Sequence, residues 1–100
     1  MTYTAQQPVD KAAIFSQITK KMAETYTAKN HDYGNAFSKS YDEFGIISAV
    51  VRMNDKMERA KSLIKMPQDQ IQVKGESLQD TLLDLANYAV MTLVELQATS

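Results

Sequence analysis

Apolar residues recur at helical spacing in three parts of the chain. In the first part they occur every four residues, at Ile14, Ile18, Met22 and Tyr26. This spacing places the side chains on one face of an α-helix, which we expect to run from about residue 9 to 29. Asp10 is suited to be its N-cap. The polar residues 1–8, which contain Pro8, are predicted to be a flexible N-terminal tail.

A second stripe predicts a helix from about residue 42 to 65. Its members are Ile46, Val50, Met53, Met57, Ala60 and Ile64. The stripe stops before Pro67, and a proline disfavours helix at the residue in front of it. Residues 38–45 mix turn-forming and aromatic side chains, so we expect them to cross from the first helix to the second. Residues 66–75 are mostly polar and are predicted to be a connection that Gly75 closes.

The third stripe predicts a helix from about residue 76 to 97. Its apolar face consists of Leu78, Leu82, Leu85, Ala89, Leu93 and Leu96. The sequence shows neither an internal repeat nor the alternation that is typical of strands. The predicted fold class is therefore all-α, with three main helices in a single domain at residues 9–100.

Composition narrows the classes of function. Of the 100 residues, 44% are apolar and 23% charged, which is typical of a folded globular domain. A formal net charge of −1 gives no general attraction to polymeric DNA or RNA, so neither is an expected partner. The absence of cysteine excludes disulfides, thiolate zinc sites and a cysteine nucleophile. The sequence has no signal peptide and no apolar run of about 18 residues, so we expect a cytoplasmic protein without a membrane partner.

The third predicted helix carries an acidic strip opposite its leucine face. On a helical wheel this strip contains Glu76, Asp80, Asp84 and Asn87, and it continues with the apolar Met91 and Val94. The two apolar residues indicate that the strip packs against something. Like charges four residues apart repel each other, and a divalent cation would reverse that effect. Oxygen ligands without His or Cys favour Mg²⁺, with Mn²⁺ as a substitute.

A second interpretation of these acids needs no metal. Ser77 and Asp80 have the spacing of a capping box, and acids in a first turn are stabilised by the helix dipole. This interpretation accounts for Glu76 and Asp80 but less well for Asp84. On the second predicted helix, Asp55 and Glu58 share a face beside basic residues, which also fits solvated ion pairs. If the two helices pack antiparallel with a modest offset, however, the acids of both lie round one point.

The stretch "KNHDYGNAF", residues 29–37, also allows two interpretations. Gly34, with Asn30, His31 and Asn35, is typical of a turn at a helix end. If the ligand is a triphosphate, Lys29 is a candidate phosphate contact, and Tyr33 or Phe37 is a candidate surface for a base. Asp32 would orient Lys29 or bond to the nucleotide.

Two acidic motifs on consecutive helices resemble the MazG-like all-α nucleoside triphosphate pyrophosphohydrolases, whose pattern is E-x-x-E followed by E-x-x-D. "KNHDYGNAF", "VVRMNDKMERAKSL" and "ESLQDTLLDLANYAVMTL" are most similar to a phage-associated family, nucleotide-modification-associated domain family 1. The resemblance covers about residues 10–97. It implies a MazG-like helical bundle that is completed by oligomerisation, as a homodimer or homotetramer, and a location in the host cytoplasm if the chain is phage-encoded.

The resemblance also implies an activity, which is Mg²⁺-dependent cleavage of a (deoxy)nucleoside triphosphate to monophosphate and pyrophosphate. By matching position, Asp55 and Glu58 stand for the first motif, and Glu76 and Asp80 for the second. The motifs depart from the family pattern, because Asp55 replaces a glutamate and Glu76 lies four residues before Asp80. Asp84 is a candidate for a missing metal ligand.

Further roles follow from the same hypothesis. Glu58 is the candidate general base, since a carboxylate that is not fully used by a metal can accept a proton. The candidate substrate contacts outside residues 29–37 are Lys56, Arg59 and Asn87. Two other functions stay open on the sequence alone, namely a catalytically silent module that binds nucleotides or a partner, and a structural helical oligomer whose acids are caps and surface pairs.

Overall fold

The computed structural model describes residues 8–33, 35–67 and 71–98, and within them the side chains of 31–33 and 71–77 are not described. These residues form four helices, α1 (Lys11–Tyr33), α2 (Ala36–Phe44), α3 (Ile46–Ile64) and α4 (Ile71–Ala98). The described ranges contain no strand, and the predicted all-α class is confirmed. Residues 1–7 of the predicted tail lie outside the description. In the part of the chain that the structure describes, no helix is both long and apolar enough to cross a membrane.

Helix α1 begins as predicted and ends later than predicted. The backbone N–H of Ala13 donates to Asp10 Oδ1 at 3.1 Å, which confirms Asp10 as the N-cap. The predicted end near residue 29 is wrong, because the helix continues to Tyr33. Its polar last turn contains turn-forming residues that a helix also tolerates. The chain changes direction at Asn35, whose φ of 67° and ψ of 40° are left-handed values that asparagine adopts more readily than most residues.

Helix α2 lies where a crossing segment is predicted, so that prediction is wrong. The nine residues of α2 include Phe37, Tyr41 and Phe44, whose spacings of four and three residues are helical. The serines and acids of this segment favour turns when they are considered alone. The aromatic spacing prevails, because Phe37 and Tyr41 are partly buried when the segment is helical.

Gly45 joins α2 to α3 in a conformation that favours glycine. Its φ is 78° and its ψ is −170°. Its backbone N–H donates to the carbonyl of Tyr41 at 2.7 Å and so closes the end of α2. Its carbonyl accepts from the backbone N–H of Ser48 at 3.1 Å and from Ser48 Oγ at 2.8 Å, which starts α3. One residue therefore satisfies the backbone groups of two helix ends.

Helices α3 and α4 pack side by side in opposite directions. Lys56 contacts Asp84, and Arg52, one turn earlier on α3, lies beside Tyr88, one turn later on α4. Helix α3 ends at Ile64, close to its predicted end. Helix α4 begins at Ile71, so the predicted start near residue 76 is wrong, and Gly75 lies within the helix. A glycine inside a helix costs about 1 kcal/mol relative to alanine, which the rest of a 28-residue helix can offset.

The described core is small and partly polar. Its buried side chains are Ala49, Ala60 and Leu63 on α3, and Thr81, Thr92 and Glu95 on α4. Alanine and threonine are small, which allows the two helices to approach closely. Glu95 accepts a hydrogen bond from Ser38 Oγ of α2, so a buried carboxylate ties α2 to α4. The leucine face of α4 is not the face that packs against α3, since Leu82 and Leu93 are 49% and 54% exposed.

Helix α1 runs along α4 and leaves much of its apolar stripe uncovered. Ile14 and Ile18 are 45% and 48% exposed, whereas Met22 and Tyr26 are partly covered. The chain measures 62 × 31 × 24 Å and has a radius of gyration of 17.4 Å. A compact domain of this length has a radius of gyration of about 13 Å. A single chain is therefore elongated. The second half of α1 forms one wall of an open cavity.

Candidate functional site

An open cavity of 340 Å³ lies beside the middle of the α3–α4 pair, between the end of α1 and the start of α2. Its volume is within the range of about 300–1,000 Å³ that is usual for ligand pockets. Each of the four helices contributes side chains to its wall. The lining residues are Thr25, Tyr26, Lys29, Asn30, Asn35, Ala36, Phe37, Arg52, Asp84, Asn87, Tyr88 and Met91.

A cluster of two aromatic rings and a guanidinium forms one wall of this cavity. The rings of Phe37 and Tyr88 are stacked, with centroids 6.0 Å apart and an interplanar angle of 21°. The guanidinium carbon of Arg52 lies 5.8 Å from the centroid of Phe37 and 5.9 Å from that of Tyr88. Arg52 Nη2 also donates to Ser40 Oγ at 3.2 Å. The cluster therefore joins α2, α3 and α4.

Asp84 brings a carboxylate to the same cavity. Its Oδ2 lies 3.0 Å from Lys56 Nζ, and the two side chains are 47% and 29% exposed. An ion pair that is exposed to this degree contributes no more than about 1 kcal/mol. A phosphate or a cation that binds in the cavity can replace either partner at little cost.

Four of the residues predicted from the sequence meet in this cavity. Lys29, Phe37, Asp84 and Asn87 all line it, although they come from α1, α2 and α4. Lys56 is adjacent through its ion pair with Asp84. The site thus draws together parts of the chain that are nearly 60 residues apart.

Other predicted residues lie elsewhere. Asp55, Glu58 and Arg59 are exposed on α3 and do not line the cavity. Glu58 pairs with Lys61 at 3.1 Å, three residues along the same helix. Since two residues correspond to about 200° on a helix, Glu58 faces away from Lys56 and hence from α4. Asp80 is exposed on α4. The side chains of Asp32, Tyr33 and Glu76 lie outside the described residues.

The predicted metal ligands are therefore described only in part. Among the side chains that the structure describes, no three His, Cys, Asp or Glu residues are close enough together to hold a metal ion. Of the predicted ligands in that set, Asp84 alone borders the cavity. Because the side chain of Glu76 is not described, the full set of five carboxylates stays a prediction.

The capping interpretation of the acids on α4 is wrong. A capping box requires Ser77 at the beginning of a helix, but α4 begins six residues earlier, at Ile71. The first turn of α4 contains no acidic residue. Glu76, Asp80 and Asp84 consequently gain little from the helix dipole, whose effect is confined to the terminal turn. A position at the start of a helix therefore does not explain why these like-charged residues follow each other along α4.

A second, more apolar groove of 280 Å³ adjoins the cavity between α1 and α4. Tyr26, Asn87 and Met91 line both spaces, and Met22, Val90 and Val94 extend the groove along the helices. Met91 and Val94 thus continue the acidic strip as part of a concave surface that faces α1.

Sequence reasoning missed Arg52 and Tyr88 as parts of the site. Arg52 precedes Lys56 by one turn on α3, and Tyr88 follows Asp84 by one turn on α4. An antiparallel wheel that pairs Lys56 with Asp84 would also pair Arg52 with Tyr88. The sequence shows the spacing of these residues along each helix, but it does not show how α3 and α4 are aligned relative to each other.

These observations define an all-α protein with an open cavity that is lined by stacked aromatic rings, two cationic side chains and a carboxylate. The chain belongs to the nucleotide modification associated domain 1 family, whose model matches residues 29–96. The matched region contains Lys29 and all cavity residues of α2, α3 and α4, and it confirms the family that the sequence motifs indicate. Searches of curated proteins and of solved structures gave no match.

Proposed function

We propose that the chain binds a nucleoside triphosphate in the cavity and cleaves it to nucleoside monophosphate and pyrophosphate with the help of Mg²⁺. The observation that carries this proposal is the meeting of a stacked ring pair, two cations and a carboxylate in one open cavity. The family description, which concerns nucleotide modification, and the resemblance to the MazG-like enzymes support the same ligand class.

The aromatic wall provides a surface for the base. Phe37 and Tyr88 are both partly exposed at the cavity, and stacking of a base on an aromatic side chain contributes about 1–3 kcal/mol. The 6.0 Å between the ring centroids leaves no room for a base between them, so the base would stack on an outer face of the pair. Asn87 offers a donor and an acceptor next to Tyr88, which suits the polar edge of a base.

The cationic side chains provide a surface for the phosphates. Lys29 and Arg52 line the cavity, and Lys56 lies at its edge, opposed by the single described carboxylate of Asp84. The site thus carries more positive than negative charge, although the whole chain has a net charge of −1. A local excess of this sign attracts a polyanion.

The metal requirement rests on the ligand chemistry of the cavity. Mg²⁺ is usually held by one or two carboxylates together with substrate phosphates and water. Asp84 at the cavity wall fits this pattern, and Asp80 lies one turn before it on the same side of α4. When bound, the cation would neutralise phosphate charge and lower the pKa of a water molecule. Lys29, Arg52 and Lys56 would orient the triphosphate, while Phe37 and Tyr88 fix the base.

A catalytically silent nucleotide-binding module is the second candidate function. It is favoured by the two ion pairs that engage predicted metal ligands, Lys56 with Asp84 and Lys61 with Glu58. In this alternative the cavity binds a nucleotide but no step follows, because the acids serve as partners of lysines.

We also propose that the working form is a homo-oligomer, at least a dimer. The leucine face of α4 is apolar and uncovered, with Leu82, Leu93 and Leu96 each more than two-fifths exposed, and Val90 and Val94 in the groove towards α1 are exposed to a similar degree. The uncovered stripe of α1 adds Ile14, Phe15 and Ile18. Exposed apolar side chains in this number are typical of an interface, and a second copy offers the same apolar face for self-complementary contact.

The test is a panel of ribo- and deoxyribonucleoside triphosphates incubated with the protein and Mg²⁺, Mn²⁺ or a chelator. Pyrophosphate is measured by a coupled assay, and the monophosphate is identified by chromatography. We expect Asp84→Asn to lower the rate by more than about 100-fold, since even residues that only support a metal ligand contribute 10- to 100-fold. Asp42→Asn, the same change at an exposed residue of α2 away from the cavity, is the matched control.

The outcomes distinguish the two candidate functions. Release of pyrophosphate and monophosphate by the wild type and by Asp42→Asn, but not by Asp84→Asn, supports the hydrolase. Saturable binding of a triphosphate without any product supports the silent module. A protein that neither binds nor cleaves any member of the panel contradicts both.

A further inference from the structure

Arg52 lies in an environment that fixes the plane of its guanidinium. It is within 6 Å of the centroids of two aromatic rings, Phe37 and Tyr88. At this distance the cation is attracted to the negative faces of the rings, and the flat guanidinium is restricted in rotation. The hydrogen bond of Nη2 to Ser40 Oγ adds a third point of attachment.

Helix α2 supplies two of these three points. Phe37 and Ser40 are three residues apart on α2, and hence on one face of it. Ser40 is itself held, because its carbonyl accepts from Ser48 Oγ of α3 at 3.4 Å. Helix α2 is in turn tied to α4 by Ser38 and Glu95. The orientation of Arg52 is therefore set by contacts with two helices besides its own.

Arg52 nevertheless lacks a counter-ion among the described residues. Two lysines on the same helix, by contrast, have a counter-ion. Lys56 pairs with Asp84, and Lys61 pairs with Glu58. A guanidinium has five N–H donors, and the hydrogen bond to Ser40 uses one. The side chain is partly buried and lines the cavity. A partly desolvated cation with further donors at the wall of a cavity is the arrangement that a bound anion completes.

A structural role alone explains less of this geometry. An arginine that lies against two stacked rings contributes to packing, but a methionine or lysine stem would fill that space without a planar donor group. A guanidinium can donate to the serine hydroxyl and keep further N–H donors in the same plane, which an ammonium cannot. Its position at the cavity wall, rather than inside the α3–α4 core, adds access from solvent.

We propose that Arg52 is the anion-binding residue of the cavity and that it holds a phosphate group of the ligand by two parallel N–H···O bonds. The inference rests on the proposed function, because it assigns the phosphate end of the nucleotide to Arg52 and Lys29 and the base end to the outer face of the ring pair. Phe37 and Ser40 are positioning residues that hold the guanidinium in place. A non-nucleotide polyphosphate has the same chemistry and would be bound by the same group.

The test compares three probes by titration calorimetry, namely a non-hydrolysable nucleoside triphosphate, the corresponding nucleoside and inorganic tripolyphosphate. The variants are Arg52→Gln, which removes the charge, and Arg52→Lys, which keeps the charge but loses the planar fork. We expect Arg52→Gln to weaken binding of the triphosphate and of tripolyphosphate by about 10- to 100-fold, as for hydrogen bonds to charged groups. Arg52→Lys should fall between the wild type and Arg52→Gln.

The controls separate this role from a structural one. Binding of the nucleoside should be unchanged in both variants, and the triphosphate affinity of the wild type should fall more steeply with salt than that of Arg52→Gln. Lys39→Gln removes one exposed positive charge from α2 outside the cavity and should bind all probes as the wild type does.

The outcomes distinguish the two proposals. Equal losses for nucleoside and triphosphate in Arg52→Gln would show a purely structural arginine and overturn the inference, and so would an unchanged triphosphate affinity. Binding of tripolyphosphate that depends on Arg52, without binding of any nucleotide, would uphold the inference and defeat the proposed nucleotide function. A wild type that binds none of the three probes would defeat both.

Discussion

Single residues with unusual surroundings determine how the site is built. Gly45 has φ and ψ values of 78° and −170°, which lie in a region that is essentially restricted to glycine. It holds the end of α2 and the start of α3, and these two helices carry Phe37, Ser40 and Arg52. The backbone conformation of Gly45, which lies outside the cavity, thus sets how Phe37 and Ser40 on α2 are oriented relative to Arg52 on α3.

Gly45→Ala should destabilise the fold by about 1–3 kcal/mol, the usual cost of such a backbone conformation for a residue with a Cβ. The cost comes from the backbone, because an added Cβ would meet no atom within 4 Å. Gly75→Ala is the matched control, since Gly75 lies inside α4 and alanine there should stabilise by about 1 kcal/mol. Thermal unfolding of the three proteins at one fixed concentration measures both changes. A Gly45→Ala variant as stable as the wild type would contradict this account of the joint.

At the scale of the helices, the sequence allowed good prediction of the long elements and poor prediction of the joints. The stripes from Ile14 to Tyr26 and from Ile46 to Ile64 predicted α1 and α3 because many residues repeat one spacing. Helix α2 was missed, since nine residues give only two helical repeats, which the turn-forming serines and acids outweigh. The start of α4 was placed too late, because Gly75 and the spacing of Ser77 and Asp80 resemble a helix beginning.

The same limits explain how much of the candidate site was predictable. Lys29, Phe37, Asp84 and Asn87 are predicted from residue chemistry and helical spacing, and the structure brings them to one cavity. Arg52 and Tyr88 were not found, because their contact depends on the register between α3 and α4 and on a helix that the sequence did not reveal. Register follows from packing between distant segments, which the spacing along one helix does not encode.

On the scale of the whole molecule, a single chain leaves α4 half covered. One side packs on α3 through Thr81, Tyr88 and Thr92, and the opposite side is apolar and open. The leucines that predict a buried helix are therefore left largely exposed in a single chain. The proposed assembly would cover them without blocking the cavity, which lies on the flank of α4 towards α1.

Leu93→Glu should convert the assembly into single chains of 11.2 kDa, because a charge at the centre of the open face of α4 would be buried without a partner. Light scattering coupled to size exclusion measures the mass, and circular dichroism checks that helix content is retained. Lys20→Gln changes the net charge by the same amount on the opposite side of the α1 stripe and should keep the wild-type mass. A wild type that is monomeric at all micromolar concentrations would refute the proposed assembly.

All the proposed residue roles depend on binding of a nucleoside triphosphate in the cavity beside the α3–α4 pair. The most direct measurement is an amide and methyl NMR titration of the intact wild type with a non-hydrolysable nucleoside triphosphate and Mg²⁺. We predict saturable chemical-shift changes concentrated at Phe37, Asn87 and Tyr88 and at the methyl group of Met91, with little change at Gly45, which connects α2 to α3. An absence of saturable shifts, or shifts confined to surfaces away from these residues, would contradict it.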